Sequence, residues 1–186
     1  YKRQALFIDV EQAQVLAAAS WPGVNPNDRG DAAALRRGLR NRVALDVFEP
    51  GSTIKPFVVA AALDHGLVRA DEVIATGNGY LRVHGQDIHD SHGYGDVTLE
   101  RLLAKSSNVG AVKLGLKLGS ERLFETYRGA GFGKPTGALL GEESSGFLPS
   151  SEQLGDTVAA FGYGFNVTLL QLAQAWMALA SDGQPR

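Results

Sequence analysis

Phe48-Glu49-Pro50-Gly51-Ser52-Thr53-Ile54-Lys55-Pro56-Phe57 ends one structural element and begins another. Pro50 and Gly51 break what precedes them. Ser52 can sit at or beside a helix N-cap, and Pro56 falls within the first turn or so of the helix that follows. The run from Phe57 to Leu63 is apolar on every side, as expected of a helix buried in a core, and Gly66 ends it. Three residues apart on a helix, Ser52 and Lys55 share a face, so a hydroxyl and an amine can meet. The positive end of the helix dipole favours a developing alkoxide on Ser52. Desolvation of Lys55 by the residues around Phe57 would lower its ammonium pKa. A neutral lysine could then take the Ser52 proton and activate the nucleophile without histidine. Ser-x-x-Lys taken alone is equally a capping serine followed by a surface lysine.

A second cluster, Ser106-Ser107-Asn108, lies downstream. A hydroxyl that relays a proton and an amide that meets a substrate carbonyl are what an acyl-transfer site needs beside its nucleophile. In isolation the cluster reads as a turn between two helices, which Ser and Asn favour anyway. One helical hairpin after a Ser-x-x-Lys, it reads as part of one site.

Outward from these two points, Leu6-Phe7-Ile8 and Val15-Leu16-Ala17 flank a polar stretch and predict a β-hairpin. Its turn around Val10 to Ala13 lacks a glycine, which implies a longer or looser turn. Asn25-Pro26-Asn27-Asp28 is a dense turn signal. Ala32, Leu35, Leu39 and Leu45 sit at roughly helical spacing and predict one helix over 31–46, packed on one side. Asp71 to Gly95 reads as short strands and loops. Helices are expected from Val97 to Leu103, from Val109 to Leu118 and from Ser120 to Tyr127. Gly131 to Gly146 reads as a long surface connection, and Thr168 to Leu179 as an apolar amphipathic helix ended by Ser181-Asp182-Gly183. Trp176 and Met177 on that helix are expected in the core.

Composition narrows the function. The 186 residues carry 18 basic and 20 acidic side chains, a net charge of −2, so nothing electrostatic points to nucleic acid or an anionic membrane. Apolar residues at 44% and charged residues at 20% describe a globular chain. With no cysteine, thiol catalysis, disulfides and cysteine-based zinc sites are excluded. No apolar run approaches the roughly 20 residues of a membrane helix, and no signal-peptide pattern opens the chain. A membrane anchor is expected outside these residues.

The nucleophile segment Phe48 to Phe57 resembles that of the class B penicillin-binding proteins, and Leu103-Ala104-Lys105-Ser106-Ser107-Asn108-Val109-Gly110 resembles their second motif. Gly131-Phe132-Gly133-Lys134-Pro135-Thr136-Gly137, the stretch from Gly141 to Pro149 and Phe161-Gly162-Tyr163-Gly164 are also similar to that family. The resemblance covers nearly the whole chain and is strongest to the septum-forming, FtsI-like branch.

It implies an α+β fold of the penicillin-binding transpeptidase and serine β-lactamase kind. In such a fold an antiparallel sheet is flanked by helices, a helical part carries Ser106 and Asn108, and the nucleophile sits between the two. It implies one partial transpeptidase domain over residues 1–186, with no cofactor and no metal. Ser52 would be acylated by the D-Ala-D-Ala end of a peptidoglycan stem peptide, with Lys55 as base. Ser106 would pass a proton to the leaving group and Asn108 would hold the substrate amide. Glu49, Ser107, Tyr163 and Gly164 would line the cleft. β-Lactam antibiotics would acylate the same serine. The implied setting is the periplasmic face of the bacterial inner membrane, in septal cell-wall synthesis, with division proteins including a glycosyltransferase as partners.

The third motif of this family, Lys-Thr-Gly or Lys-Ser-Gly on a strand beyond the Thr168 helix, does not occur in the sequence, and inactivity of the chain by itself is one expectation from that. Lys134-Pro135-Thr136-Gly137 is no substitute, since a proline interrupts it. His84, His89 and His92 with Asp87 and Asp90 could suggest a metal site, but the segment is Gly-rich and lacks a His-Glu-x-x-His helix. Two other functions stay open. A serine β-lactamase would need a positioned carboxylate, for which Glu142 and Glu143 are the formal candidates. A non-catalytic penicillin sensor would keep the fold without turnover.

Overall fold

The computed structural model describes residues 3–25, 27, 30–138, 141–181 and 183. The expected turn at 25–28 and the helix stop at 181–183 therefore fall partly outside the described residues. In chain order the elements open with strands β1 (Arg3–Asp9) and β2 (Gln14–Trp21), helices α1 (Ala32–Leu39) and α2 (Arg42–Leu45) and strand β3 (Val47–Phe48). A 3-10 turn (Gly51–Ile54) leads into α3 (Lys55–Asp64), followed by β4 (Val73–Gly77), β5 (Tyr80–Val83), β6 (Gln86–His89) and β7 (Gly95–Thr98). Then come α4 (Leu99–Lys105), α5 (Asn108–Gly129), α6 (Ser151–Leu154), α7 (Asp156–Ala159), β8 (Val167–Thr168) and α8 (Leu169–Ala180). Helices and antiparallel strand pairs together make this an α+β fold. The chain divides into two compact units, Tyr1–Phe48 with Ala130–Phe147 and Val167–Arg186, and Glu49–Gly129 with Leu148–Asn166.

In the first unit, β1 and β2 pair antiparallel from Arg3↔Trp21 to Asp9↔Gln14, with a bulge between Phe7 and Ile8. The connecting turn has four residues. Without a glycine to take it, Ala13 adopts the left-handed conformation at φ 51°, and the Asp9 carboxylate accepts from the Gln12 N–H at 2.9 Å. Leu6 and Val15 pack against a buried cluster of Val43, Ala44 and Leu170.

The single helix expected over 31–46 is two. Asp31 caps α1 through the Ala33 and Ala34 N–H groups, and the backbone turns extended at Arg40 before α2 starts. The break is stabilised by Arg42, only 3% exposed, whose guanidinium donates to Arg37 O at 2.7 Å and Trp21 O at 3.2 Å and faces Asp46. It fills a carbonyl that the end of α1 leaves open. α8 begins with a capping box between Thr168 and Gln171. The buried Gln171 amide also donates to Lys134 O and Ser145 O, tying both limbs of the 131–147 connection to the helix. Trp176, expected in the core, is 41% exposed. It takes the outward side of a helix whose inward side is occupied by Leu172 and Ala175.

In the second unit α3 is apolar all round and packs on α5, with Ile54, Val58, Ala62, Val112 and Leu114 fully buried. Each such side chain contributes roughly 1.5–3 kcal/mol of burial. β4 pairs with β7 and β5 with β6, and Leu81 and Val83 pack against a cluster of Ile88, Val109 and Val112. α5 breaks at Gly119 (φ 75°, ψ 162°), the point between the two expected helices. Its last turns are held by Tyr127, fully buried, stacked on Phe165 with ring centroids 4.9 Å apart and donating to Ala159 O at 2.7 Å.

α5 meets α7 at Gly115, where a Cβ would lie 2.5 Å from Ala160 Cβ and 2.7 Å from Asp156 O. Gly115→Ala gains about 1 kcal/mol of helix propensity but forces two packed backbones apart, an overpacking cost of about 1–3 kcal/mol. Net destabilisation is expected in chemical denaturation. Gly129→Ala, where a Cβ meets nothing within 4 Å, should be neutral or stabilising, and equal behaviour of the two would refute the close approach.

Candidate active site

The second unit carries Glu49, Ser52, Lys55, Ser106, Ser107, Asn108, Tyr163 and Gly164, the candidates for the acyl-transfer site; Glu142 and Glu143 belong to the first unit. Ser52 lies in the 3-10 turn that precedes α3, and is exposed. Lys55 is the first residue of α3 and is only 1% exposed. Burying an ammonium is costly unless each N–H finds an acceptor. Here the Nζ donates to Asn108 Oδ1 at 2.7 Å, to Ser106 Oγ at 3.0 Å and, in a short contact, to Ser106 O. Three donors thus meet three acceptors, all from the Ser-x-Asn segment. The Ser52 hydroxyl is not among them.

Desolvation lowers the Lys55 pKa from its ordinary value to about 8, against the opposing pull of the Asp90 charge. At pH 7 roughly a tenth of the molecules therefore carry a neutral amine, which keeps two donors and presents a lone pair. A group so placed can serve as a base as well as an anchor.

The Ser106–Asn108 segment is shaped for this contact. Ser106 caps the end of α4 in the left-handed conformation (φ 53°, ψ 42°). That conformation costs an ordinary residue about 1–2 kcal/mol, and it turns both Ser106 O and Ser106 Oγ onto the lysine. α5 then starts at Asn108, whose Nδ2 donates to His89 O at 2.9 Å. Ser107, expected against substrate, is 1% exposed and spent inside the protein. Its Oγ accepts from the Gly110 N–H at 2.9 Å and donates to Asp90 Oδ2 at 2.7 Å, so it caps the helix.

Glu49, Tyr163 and Gly164 collect on the other side of the Ser52 turn. Gly164 N–H donates to Glu49 Oε1 at 3.0 Å, and Gly51 N–H donates to Gly162 O at 3.0 Å. Gly162 (φ 90°) lies so near that a Cβ on it would sit 2.0 Å from Gly51 O. The turn bearing Ser52 thus rests directly on the backbone of the Gly162–Gly164 segment. Tyr163 is 47% exposed and its ring lies 5.2 Å from that of Phe161.

Sequence reasoning missed Asp90, which it weighed only as a metal-site carboxylate. Among the described residues no group of three His, Cys, Asp or Glu is placed to hold a metal. Asp90 instead receives the first N–H groups of α5. Glu143 is also committed, accepting from Thr136 N–H, Thr136 Oγ1 and Gly137 N–H, while Glu142 is exposed.

The chain is similar to known proteins over nearly its whole length. The chain is 42% identical over 182 residues to peptidoglycan D,D-transpeptidase FtsI of Escherichia coli K12, covering 96% of this chain and 30% of that protein. The transpeptidase domain of Burkholderia pseudomallei penicillin-binding protein 3 superposes with a TM-score of 0.85 at 33% identity, over 99% of this chain and 51% of that one. A Burkholderia ambifaria protein described as a peptidoglycan glycosyltransferase gives 0.86 at 32%, over 99% and 54%. The chain therefore spans about a third of its curated relative and about half of each solved chain. Residues 4–186 match the family described as the penicillin binding protein transpeptidase domain, and the chain, with Lys55 buried against Ser106 and Asn108 three residues after an exposed serine, belongs to that family.

Proposed function

We propose that this chain carries the acylation half of a serine-type peptidoglycan D,D-transpeptidase site, with Ser52 as nucleophile. The observation that carries the reading is the convergence of Ser106 and Asn108 on the amine of Lys55, three residues after an exposed serine at the mouth of a buried helix. Neutral Lys55 takes the Ser52 proton as Oγ bonds to the carbonyl carbon of the penultimate D-alanine. Collapse of the tetrahedral species breaks the C–N bond. The departing amine takes a proton relayed from the Lys55 ammonium through Ser106 Oγ, and D-alanine leaves. An amine from a neighbouring stem peptide then attacks the ester carbonyl and gives its proton to Lys55 by the same route; the C–O bond to Ser52 Oγ breaks, Oγ takes the proton back from the Lys55 ammonium, and the cross-link closes with the serine free again.

Asn108 has one amide hydrogen engaged by His89 O, and its second is free in direction to meet a substrate carbonyl. The backbone N–H of Ser52 serves as an oxyanion donor in this scheme. Glu49, Tyr163 and Gly164 form the exposed rim next to the nucleophile, and Ser107 acts from behind as the helix cap. The third family motif, with its oxyanion and carboxylate contacts, would complete the site.

We extend the proposal to the setting that the family resemblance implies: cell-wall synthesis outside the cytoplasm, at the septum and on the periplasmic face of the inner membrane, with division proteins including a glycosyltransferase as partners. Among the described residues no helix is long and apolar enough to cross a membrane. A β-lactamase role draws no support from Glu143, whose carboxylate is occupied by Thr136 and Gly137.

A β-lactam opens on Ser52 without losing a fragment, because the ring nitrogen takes up the relayed proton as the C–N bond breaks and stays tethered to the acyl group. Incubation with benzylpenicillin should add one drug mass, mapped to the Ser52 peptide, and Ser52→Ala should abolish it. A folded protein that forms no adduct would sink the proposal.

Acylation should also report the Lys55 titration. The reactive form is the neutral amine, so the rate should rise with pH and level off above about 8. It should fall about tenfold for each pH unit well below that. A profile flat from pH 6 to 9 would remove Lys55 as the base.

A further inference from the structure

We infer that Asp90 is a positioning residue of this site: from outside the helix it pins the first turn of α5 and so holds Ser106 and Asn108 on the Lys55 amine. The inference rests on the acyl-transfer reading of Ser52 and Lys55.

Asp90 follows β6 and stands 18 residues before the segment it holds. Its Oδ1 accepts from the N–H groups of Asn108 (2.5 Å) and Val109 (3.1 Å), and its Oδ2 from Ser107 Oγ (2.7 Å). Ser107 Oγ in turn accepts from Gly110 N–H. The first three amides of α5, which no intrahelical carbonyl can reach, are therefore all satisfied by this pair. A carboxylate at a helix N-terminus is also stabilised by the helix dipole.

The support is rigid behind as well as in front. Asp90 N–H donates to Gly79 O at 2.9 Å, and the adjoining His89 carbonyl takes the Asn108 side-chain amide. One short segment, His89-Asp90, thus fixes both the backbone and the side chain of Asn108. Asn108 Oδ1 and the left-handed Ser106 are the groups that meet Lys55, so a shift at Asp90 is passed to the base.

The same carboxylate acts on Lys55 through space, opposing the effect of burial. Lys55, from α3, feels its charge, and His89 and His92 are the titratable residues nearest to it in sequence. Asp90 therefore has a signature that a purely structural residue lacks. Removing its charge should ease deprotonation of Lys55 even while the geometry is degraded.

Asp90→Asn keeps the shape and one acceptor oxygen and removes the charge. The Lys55 side-chain NMR signal should titrate at lower pH in this variant than in the unsubstituted protein. Plateau acylation by benzylpenicillin should fall roughly ten- to a hundredfold, the scale of a small misplacement of catalytic groups. If Asp90→Asn does not fold, Ser107→Ala cuts one tether and leaves the charge, and there acylation should fall with the Lys55 titration unmoved. Either an unmoved Lys55 titration in Asp90→Asn, or acylation as fast as that of the unsubstituted protein in the folded variants, would overturn the inference. A shifted Lys55 titration in a protein that is never acylated, even unsubstituted, would count against the transpeptidase reading and for the hold of Asp90.

Discussion

An ammonium group taken out of water sets the terms for the second unit. Lys55 is almost wholly buried at the head of an apolar helix, and its charge is tolerable there only because three acceptors close on it. Supplying them requires a helix to stop at Lys105, a residue to turn left-handed at Ser106, and a new helix to start at Asn108. Each of those events leaves backbone groups needing partners, which Ser107 and Asp90 provide. The chemistry and the local fold answer the same demand. The burial that eases loss of the lysine's proton is also what would make it destabilising if its neighbours were removed.

The first unit solves a different problem with the same means. Among the described residues of its long connection over 131–147 there is almost no regular structure, yet several polar groups there find partners within the unit. Gln171 gathers two carbonyls from it, Glu143 gathers two N–H groups and a hydroxyl, and Ser144 N–H reaches Ala44 O. A few side-chain amides and carboxylates thereby replace the ladder a strand would have given.

Much of this was readable in the residues. The hairpin, the helix after Ser52, the stop at Ser106 and the break at Gly119 all follow from short-range signals: apolar alternation, Pro and Gly punctuation, and helical spacing. The division of 31–46 into two helices was not, because it depends on Arg42 turning back to Arg37 and Trp21, and no local pattern encodes that reach. Trp176 was misplaced because an almost wholly apolar helix does not reveal which flank faces out. Thr168-Leu169-Leu170-Gln171 did carry a capping-box signal that went unused. Asp90 was the least legible. In a loop rich in Gly, His and Asp it looks like any solvated carboxylate, and its partners are backbone amides, which have no letter in the sequence.

The contact between Gly162 and Gly51 has a consequence for how this site can vary. Two main chains touch there with no side chain between them, and the gap admits no carbon atom. The seat of Ser52 therefore cannot be adjusted by graded changes in residue size at position 162, as an apolar pocket can. Variation around it has to enter through groups with slack, such as the Glu49 carboxylate or the exposed Tyr163 ring, while the serine's own footing stays a fixed point of the lineage.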